Sequence, residues 1–309
     1  MKNKTRCLSL LLFVPLLAGC GNKVSEPKFA RYGDEVKASA FEKAFTKKLE
    51  AASFSKKAKI GSMELVSKTG EAQYTERTRD GKKFSTSEST LSIDTTMKYD
   101  ADNLIVLNET EYVAGGTTEN PGQTVDGEMK ISSKTQMQQA KVKKQNYFVE
   151  ADAVEEVYEP LMAVSKKDDL VTTLDAQAKA YASAGALQMM SVIMGYESAP
   201  EEEQKHYKFY QNGDIFTIEQ KSEDTEKEAE FTAKRESRET MQCDFTEGKW
   251  SLKGYSEAVT TTTFKKDSGS YYKGEVLVEK QIAALELRTT KKSVKLEALD
   301  LSKYEAKGF

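Results

Sequence analysis

Two long stretches of this sequence alternate between apolar and polar residues, and this period of two constrains the fold more than any other feature. The first stretch runs from Ala58 to Val149 and the second from Tyr207 to Leu299. Such alternation is typical of β-strands with one buried and one solvated face. Short turn signals separate the strands, which indicates an antiparallel meander. These signals are Asp80-Gly81, Gly115-Gly116, Asp126-Gly127, Asn212-Gly213, Glu247-Gly248 and Ser268-Gly269-Ser270.

Three segments replace the alternation with helical spacing, in which apolar residues recur every three or four positions. The first spans Asp34 to Ala52, with its first residue as the predicted N-cap. The second spans Ala151 to Val164 and contains a proline, and the third spans Thr173 to Tyr196. A sequence that resembles a capping box, with Thr172 and Asp175, opens the third segment. The order along the chain is therefore helix, meander, helix pair, meander.

This order predicts an α+β fold: a large curved antiparallel sheet, like half of a barrel, with an N-terminal helix and two mid-chain helices packed on one face. One sheet with helices on one face buries the helical apolar stripes economically, and so many strands curl rather than lie flat. Residues 34–309 are expected to form a single domain. The expected strands are Ile60, Met63–Val66, Tyr74–Arg79, Phe84–Met97, Leu104–Val113, Val125–Met137, Val142–Val149, Tyr207–Tyr210, Ile215–Gln220, Glu228–Lys234, Glu239–Phe245, Lys249–Tyr255, Ala258–Phe264, Tyr271–Glu279, Ile282–Thr289 and Val294–Leu299.

The N-terminus has the features of a secretory signal. Lys2, Lys4 and Arg6 form a basic start, and an almost wholly apolar run from Leu8 to Leu17 follows. The run is shorter than the roughly 20 residues that span a bilayer. We therefore predict that residues 1–19 are a signal peptide.

The end of this segment resembles a bacterial lipobox. Leu17-Ala18-Gly19 places an apolar and two small residues before Cys20. The resemblance implies that Cys20 carries diacylglycerol, that cleavage precedes it, and that the chain is held on the extracytoplasmic face of a cell membrane. The palmitate-type chains would supply the anchor, with residues 20–33 as a polar lipidated tether. The alternative is an ordinary signal peptide with a chance cysteine.

The order of elements also resembles the half-barrel lipoprotein carriers, which include the periplasmic carriers of lipoproteins and the mycobacterial lipoproteins that carry glycolipids. The resemblance covers most of the mature chain, as topology. It implies helices that cover a hydrophobic cavity for acyl chains. One difference lies in Phe84–Met97, where both faces of the expected strand carry Ser, Thr or acidic residues.

Charge and cysteine content exclude several function classes. The 309 residues hold 46 basic and 49 acidic side chains, a net charge of −3, and removal of residues 1–19 makes it −6. No nucleic-acid partner is expected, because such a protein needs a basic surface. With Cys7 in the signal and Cys20 lipidated, Cys243 has no intrachain disulfide partner. We interpret it as a small buried core residue rather than a nucleophile.

Residues that could carry catalysis or bind a metal do not form recognisable sites. His206 is the single histidine, which excludes a multi-histidine metal site and argues against a Ser-His-Asp triad, so we interpret it as a surface or strand-edge residue. Asp100, Asp102 and Glu111 match a calcium-loop spacing, but Leu104 stands where a ligand is needed. Nucleotide-binding and hydrolase-elbow motifs are absent from the sequence. We expect no catalytic residue, metal or cofactor, and predict that the protein is not an enzyme.

The most apolar stretch of the mature chain lies near the end of the third helical segment and is the predicted ligand site. Methionine adapts to irregular lipid shapes, although packing of this helix against the sheet is the alternative. Tyr255, Tyr271 and Tyr272 could join a ligand groove or sugar-binding surface, or could be cross-strand packing pairs. The predicted ligand-binding residues are Leu187, Met189, Met190, Ile193, Met194 and Trp250.

Three hypotheses for function follow. The first is a non-enzymatic, membrane-anchored lipoprotein that binds a hydrophobic or amphipathic ligand under its helices. The second is a surface interaction or scaffold lipoprotein that contacts a protein or envelope partner and has no internal cavity. An enzyme acting on envelope polymers is the third. A continuous apolar void under the helices favours the first, and a filled core favours the second.

Overall fold

The computed structural model describes residues 24–52, 61–164, 167–246, 250–290 and 294–309, and only the backbone at 167–169, 177–178 and 181–182. The signal segment, Cys20, the expected strand residue Ile60 and the turn Glu247-Gly248 lie outside the described residues. The described helices are α1 (Ala38–Ala51), α2 (Lys167–Ser198) and α3 (Glu201–Gln204), with a 3₁₀ turn at Leu301–Lys303.

Within this part of the chain, thirteen strands form one curved sheet, which confirms the predicted fold class. They are β1 (Asp34–Val36), β2 (Met63–Arg79), β3 (Lys82–Asp100), β4 (Ile105–Asn120), β5 (Gln123–Val142), β6 (Gln145–Asp152), β7 (Val157–Ala163), β8 (Tyr207–Asn212), β9 (Ile215–Lys227), β10 (Phe231–Asp244), β11 (Trp250–Phe264), β12 (Val276–Thr290) and β13 (Glu305–Ala306).

The strand order is β1-β8-β9-β10-β11-β12-β2-β3-β4-β5-β6-β7-β13. Two antiparallel meanders thus join where β12 pairs with β2, and the short β13 pairs with β7 in parallel. The prediction of two meanders in one sheet is confirmed. Many strands are longer than the usual five or six residues, β5 reaching 20.

Paired residues on neighbouring strands point to the same face, so the register assigns every side chain to a face. Leu65 and Trp250 both pair with Thr289, and they lie on the face that α1 and α2 cover, which we call the helix face. The opposite surface is the outer face. The core joins Phe41 and Phe45 of α1 to aromatic residues of the sheet, with Phe41 and Phe216 rings 5.4 Å apart.

This core occupies one end of the long strands. We call that end the proximal sheet. The distal sheet is the remainder of β2–β5 and β9–β12, residues 69–93, 112–134, 221–238 and 257–284, which contributes no member to the core cluster. The two halves are stabilised differently.

The predicted helix Ala151–Val164 is wrong, because β6 continues to Asp152 and β7 begins at Val157. A carboxylate oxygen of Asp152 accepts hydrogen bonds from the amides of Val154 and Glu155, at 2.7 and 3.0 Å, and builds a tight turn. Short side chains of this kind compete with helical hydrogen bonding. The mid-chain helix pair is instead α2 and α3.

The other predicted helix boundaries shift. Asp34 is not an N-cap, since it lies in β1 and pairs with Gln211. The predicted capping box is wrong as well, because α2 begins at Lys167 and Asp175 lies inside it, paired with Lys179 at 2.8 Å. No helix among the described residues is long and apolar enough to cross a membrane.

Turn predictions divide into two groups. Asp80-Gly81 and Asn212-Gly213 stand at hairpin ends as predicted. Gly115-Gly116 and Asp126-Gly127 are not turns, because Gly116 pairs with Gly127 inside the β4–β5 ladder. The turn of that hairpin contains Gly122, whose φ of 79° suits glycine.

The predicted strand Val294–Leu299 is also wrong. This segment is irregular and is held on the outer face by side chains. Gln138 Nε2 donates to the Leu299 carbonyl at 2.9 Å, and the Leu299 amide donates back to Gln138 Oε1 at 2.7 Å. Gln136 Nε2 donates to the Glu297 carbonyl at 2.8 Å. These amide side chains replace the ladder that the alternation predicted.

Candidate functional site

The predicted ligand-binding residues do not share one space. Met189, Ile193 and Trp250 are buried in the core, the tryptophan with 4% of its surface exposed. Leu187 and Met194 point away from the core and are 60% and 63% exposed. The last of the six, Met190, packs against the core from a partly buried position.

The helix α2 lies directly on the sheet at Gly185. A Cβ atom at this position would stand 2.7 Å from the Trp250 ring and 3.0 Å from the Leu287 side chain. Both distances are below van der Waals contact, so only glycine permits this approach. The space beside the predicted ligand residues is therefore filled by packed side chains at this point.

The remaining aromatic candidates also lie apart. Tyr255 lies on the outer face, under the guanidinium of Arg238, 4.8 Å from the ring centre. Tyr271 and Tyr272 lie at the far end of the distal sheet, after β11. The structure thus does not bring these tyrosines together with Trp250 in a groove.

An ion-pair cluster closes this far end. The Glu275 side chain is fully buried, and its carboxylate accepts from Arg77 Nε at 2.6 Å and from Arg79 Nη2 at 3.3 Å. Burial alone raises the pKa of Glu275, but the hydrogen bonds from Arg77, the Tyr272 amide and Arg79 outweigh it and hold the pKa below its usual value. We call these residues, with the aromatic rings around them, the arginine cluster.

Aromatic rings complete the arginine cluster. The Arg77 guanidinium lies 4.8 Å from the Tyr271 ring centre, and that of Arg79 lies 3.8 Å from the Tyr272 ring centre. Phe264 stacks on Tyr271 at 4.3 Å. Because its own glutamate fills the centre, the cluster fastens the β11–β12 loop to β2. Sequence analysis missed it because its partners are about 200 residues apart, and no local pattern joins them.

The residues from Val24 to Gly33 lie along the outer face, and we call them the N-terminal strap. The Ala30 amide donates to Gln242 Oε1 at 2.7 Å, and Gln242 Nε2 donates to the Ala30 carbonyl at 3.0 Å. Arg238 pairs with Glu26 at 2.9 Å. The part of the predicted tether that the structure describes is thus attached to the domain.

The beginning of the strap roofs a small cleft of about 280 Å³ on the outer face. Val24 and Pro27 form one wall, and Gly70 lies beneath, where a Cβ atom would stand 3.2 Å from Val24. Asp94 and Glu111 line the other side. This cleft is polar and lies on the face opposite the predicted ligand residues.

Most side chains of the distal sheet are partly exposed, apart from the strip of outer face that the N-terminal strap covers. Its outer face carries cross-strand ion pairs, such as Lys234 with Glu223 at 3.0 Å and Arg238 with Glu257 at 2.9 Å. Its helix face carries many small and polar residues. Apolar side chains that are well exposed on this face lie on the β5 edge, at Val125, Met129 and Ile131.

The remaining candidate residues are Cys243, His206 and Asp100, and each lies in an environment that accounts for it structurally. Cys243 is fully buried, as predicted, and burial raises the pKa of its thiol well above the ordinary value. His206 lies just before β8, half-buried, in the predicted strand-edge position. Asp100 caps the turn before β4, accepting from the amides of Asp102 and Asn103. Within the described residues, no group of three or more His, Cys, Asp or Glu is placed to hold a metal.

No protein-family model matches the sequence, and no curated protein matches it. Among solved structures, the chain is similar to the outer membrane protease OmpT from Escherichia coli, with 9% identity and a TM-score of 0.22 over 74% of this chain and 95% of that chain. It is also similar to OccK7 (OpdD) from Pseudomonas aeruginosa, with 7% identity and a TM-score of 0.18 over 74% of this chain and 99% of that chain. Likenesses at these scores carry no argument about function.

Proposed function

We propose that this protein is a lipid-anchored, extracytoplasmic envelope protein that acts by binding a partner on its extended sheet, without catalysis. The lipobox-like sequence before Cys20 supports the anchor. The distal sheet supports the binding role, because no described helix packs on its helix face and its strand edges are partly unpaired.

The close contact between Gly185 and Trp250 carries the choice between partner binding and internal ligand binding. A carrier needs an apolar void between its helices and its sheet. Here the helix backbone rests on the indole ring, and Met189 and Ile193 are buried in the same core. A filled core at this point favours interaction over storage of a lipid.

The N-terminal strap supports a membrane-facing outer face. Val24 lies on this face beside Gly70, only four residues after Cys20. Four residues span at most about 14 Å when fully extended. A lipid on Cys20 would therefore hold the outer face of the sheet close to the bilayer.

The anchor can be tested by substituting the two cysteines of the N-terminal segment separately. Cys20→Ser is expected to release the protein from the membrane fraction, because stable anchoring needs the acyl chains. Cys7→Ser is the matched control and is expected to stay in the membrane. Equal membrane retention of both variants would contradict lipidation of Cys20.

The choice between partner binding on the sheet and lipid binding under the helices can be tested separately by native mass spectrometry. We would purify the mature chain with Cys20→Ser from lipid-containing cells and look for a bound mass that denaturation removes. We expect the mass of the protein, as monomer or dimer, with no lipid bound. A bound lipid that Leu187→Asp or Met194→Asp abolishes would instead support the first hypothesis of ligand binding at α2, since both side chains are exposed and their replacement leaves the core intact.

A further inference from the structure

Part of β5 has no pairing strand on one of its two sides among the described residues. β5 pairs with β4 along its whole length, but its other side pairs with β6 only from Thr135 onward. Just before that point, the Lys134 carbonyl accepts a hydrogen bond from the Ala153 amide. Residues 124–133 are all exposed, and no described strand pairs with this side of them. We call this stretch the free edge of β5.

The hairpin geometry shows which main-chain groups the free edge presents. β5 and β6 are joined by the two-residue turn Lys143-Lys144, so Val142 and Gln145 form the hydrogen-bonded pair that closes it. Counting back by two, the even-numbered residues of β5 direct their N–H and C=O groups away from β4. The bond from Ala153 to Lys134 agrees with this count. Within residues 124–133, the open groups belong to Thr124, Asp126, Glu128, Lys130 and Ser132.

The side chains of the free edge separate by face. Val125, Met129 and Ile131 form an apolar row on the helix face, and Met129 is 47% exposed. Glu128 and Lys130 belong to the outer face. A long edge strand with exposed apolar side chains pairs readily with another strand unless charges or bulges protect it.

We propose that the free edge of β5 pairs with the same edge of a second copy of this chain, antiparallel and centred on Met129. This register pairs Asp126, Glu128, Lys130 and Ser132 of each copy with the same four residues of the other, through about eight backbone hydrogen bonds. The pairing ends before Thr124, which would fall opposite Lys134, whose carbonyl already accepts from Ala153. It places Glu128 opposite Lys130 of the second copy, twice by symmetry. It also places Ile131 opposite Gly127, where the absent side chain leaves room for the branched one.

Neighbouring registers fail on charge. A centre at residue 128 brings Glu128 opposite itself, although it also pairs Asp126 with Lys130. A centre at residue 130 brings Lys130 opposite itself, although it also pairs Asp126 with Lys134. The centre at Met129 sets no like charges opposite each other. Like charges directly opposite each other destabilise a strand pair. Lys130 already contacts Glu111 at 2.8 Å, but both side chains are about half exposed, so the lysine can also reach a second carboxylate.

The edge of β9 offers an internal contrast. Beyond its last pair with β8, at Gln220, it continues as Lys221–Lys227 without an exposed apolar side chain. Self-pairing about its midpoint would set Asp224 opposite itself and Lys221 opposite Lys227. The β9 edge therefore repels a copy of itself, whereas the β5 edge complements one.

The two-fold symmetry of this dimer is compatible with the lipid anchor proposed above. Only this argument about orientation rests on that proposed function. The two-fold axis of an antiparallel strand pair runs perpendicular to the sheet, so the outer faces of both copies stay on the same side. Both N-terminal straps then face the same way, and two lipids can enter one membrane.

Cysteine cross-linking tests the register in the mature chain with Cys20→Ser. Under mild oxidation, Met129→Cys is expected to form a disulfide-linked dimer, because opposed residues place Cβ atoms within disulfide range. Ile131→Cys alone is the matched control and should stay uncross-linked, while a mixture of Ile131→Cys and Gly127→Cys chains should cross-link. Cross-linking of Ile131→Cys with itself, or none at Met129→Cys, would overturn the register.

Analytical ultracentrifugation tests the dimer itself, independently of the anchor. Glu128→Lys should raise the dimer dissociation constant about tenfold or more, since two lysine pairs replace two ion pairs. The double variant Glu128→Lys with Lys130→Glu should restore wild-type affinity. Asp224→Lys, on the β9 edge, should leave it unchanged. A monomer at every concentration, or equal loss for Asp224→Lys, would refute pairing through β5 while leaving the membrane anchor untouched.

Discussion

The proximal and distal halves of the same strands are held together by different forces. In the proximal sheet, Phe45, Phe216 and Leu252 are fully buried beneath the helices. In the distal sheet, most side chains are half-exposed, and the contacts are strand ladders, exposed ion pairs and the arginine cluster. Continuous hydrogen-bonded strands thus extend from the apolar core into a region whose few buried apolar side chains, such as Phe264 and Leu277, do not belong to that core.

This comparison separates the stability that the helix layer contributes from the stability that strand pairing provides where no helix packs on the sheet. Burial of apolar surface stabilises by roughly 25 cal/mol per Å² and dominates near the helices. Exposed ion pairs contribute little individually. The distal sheet therefore depends on its register with the proximal half and on the arginine cluster at its end.

The largest effect is expected in the proximal core. Phe216→Ala removes a fully buried ring that lies against Phe41 and Phe45, and should lower the free energy of unfolding by about 3–5 kcal/mol. Val259→Ala in the distal part of β11 should cost about 1 kcal/mol or less, because that side chain is only half-buried. Urea denaturation of both variants measures the difference. Equal costs would mean that the two halves are stabilised alike.

The arginine cluster is the expected exception in the distal sheet. Glu275→Gln leaves Arg77 and Arg79 without their buried counter-charge and should cost on the order of 3 kcal/mol. Glu279→Gln is the matched control, since that carboxylate is exposed, and should change little. Urea denaturation measures the cost, and hydrogen exchange should show faster opening around residues 77–79 and 276–278. A loss no larger than that of the control would show that the cluster is dispensable.

Two carboxylates give opposite responses to pH. Burial raises the pKa of Glu239, on the helix face, so the folded state binds its proton more tightly and gains stability as pH falls through that raised pKa. Glu275 has a lowered pKa, so its stabilisation is present above the ordinary value of 4.5 and is lost as pH falls towards the lowered one. Unfolding free energies measured from pH 7 to pH 3 should show a gain that Glu239→Gln removes and a loss that Glu275→Gln removes. The reverse pattern would contradict both assignments.

The smallest effect is expected on the outer face, at the border where the distal sheet begins. Asp94→Asn breaks the pair with Lys68, whose partners are each about half exposed, and should cost at most about 1 kcal/mol. High salt should reduce this cost because mobile ions screen exposed charges. Urea denaturation at low and high salt measures it. A cost that persists in high salt would indicate a buried role for the pair.

Sequence periodicity predicted the sheet and its two meanders because the alternation of apolar and polar residues is a local feature that follows directly from the two faces of a strand. The wrong predictions of turns and helices concern residue types that occur in more than one kind of secondary structure. Gly115 and Gly116 are typical of turns, but here they lie in a ladder, while the neighbouring Pro121-Gly122 makes the turn. The segment Ala151–Val164 has spacing that suits a helix, but Asp152 forms a turn and pairing with β6 decides the outcome.

The candidate sites depended on contacts that sequence patterns do not contain. The apolar stretch of α2 was visible, but not which residues face the core: Ile193 is buried and Met194, its neighbour, is exposed. The arginine cluster joins residues from opposite ends of the chain, and the strap attaches through the distant Gln242. The free edge of β5 is visible only once the point at which β6 begins to pair is known.

The attachment of the strap has a consequence for reach. A lipoprotein with a long unattached leader can stand away from its bilayer and search the space above it. Here the Val24 side chain already lies against the sheet at Gly70, and the main chain is hydrogen-bonded to Gln242 at Ala30. Because Val24 is four residues after Cys20, a lipid on Cys20 would give the domain a clearance of no more than about 14 Å. Such a protein would lie with its sheet parallel to the membrane and with α2 on the side away from the bilayer. It would bind only partners that approach close to the membrane surface.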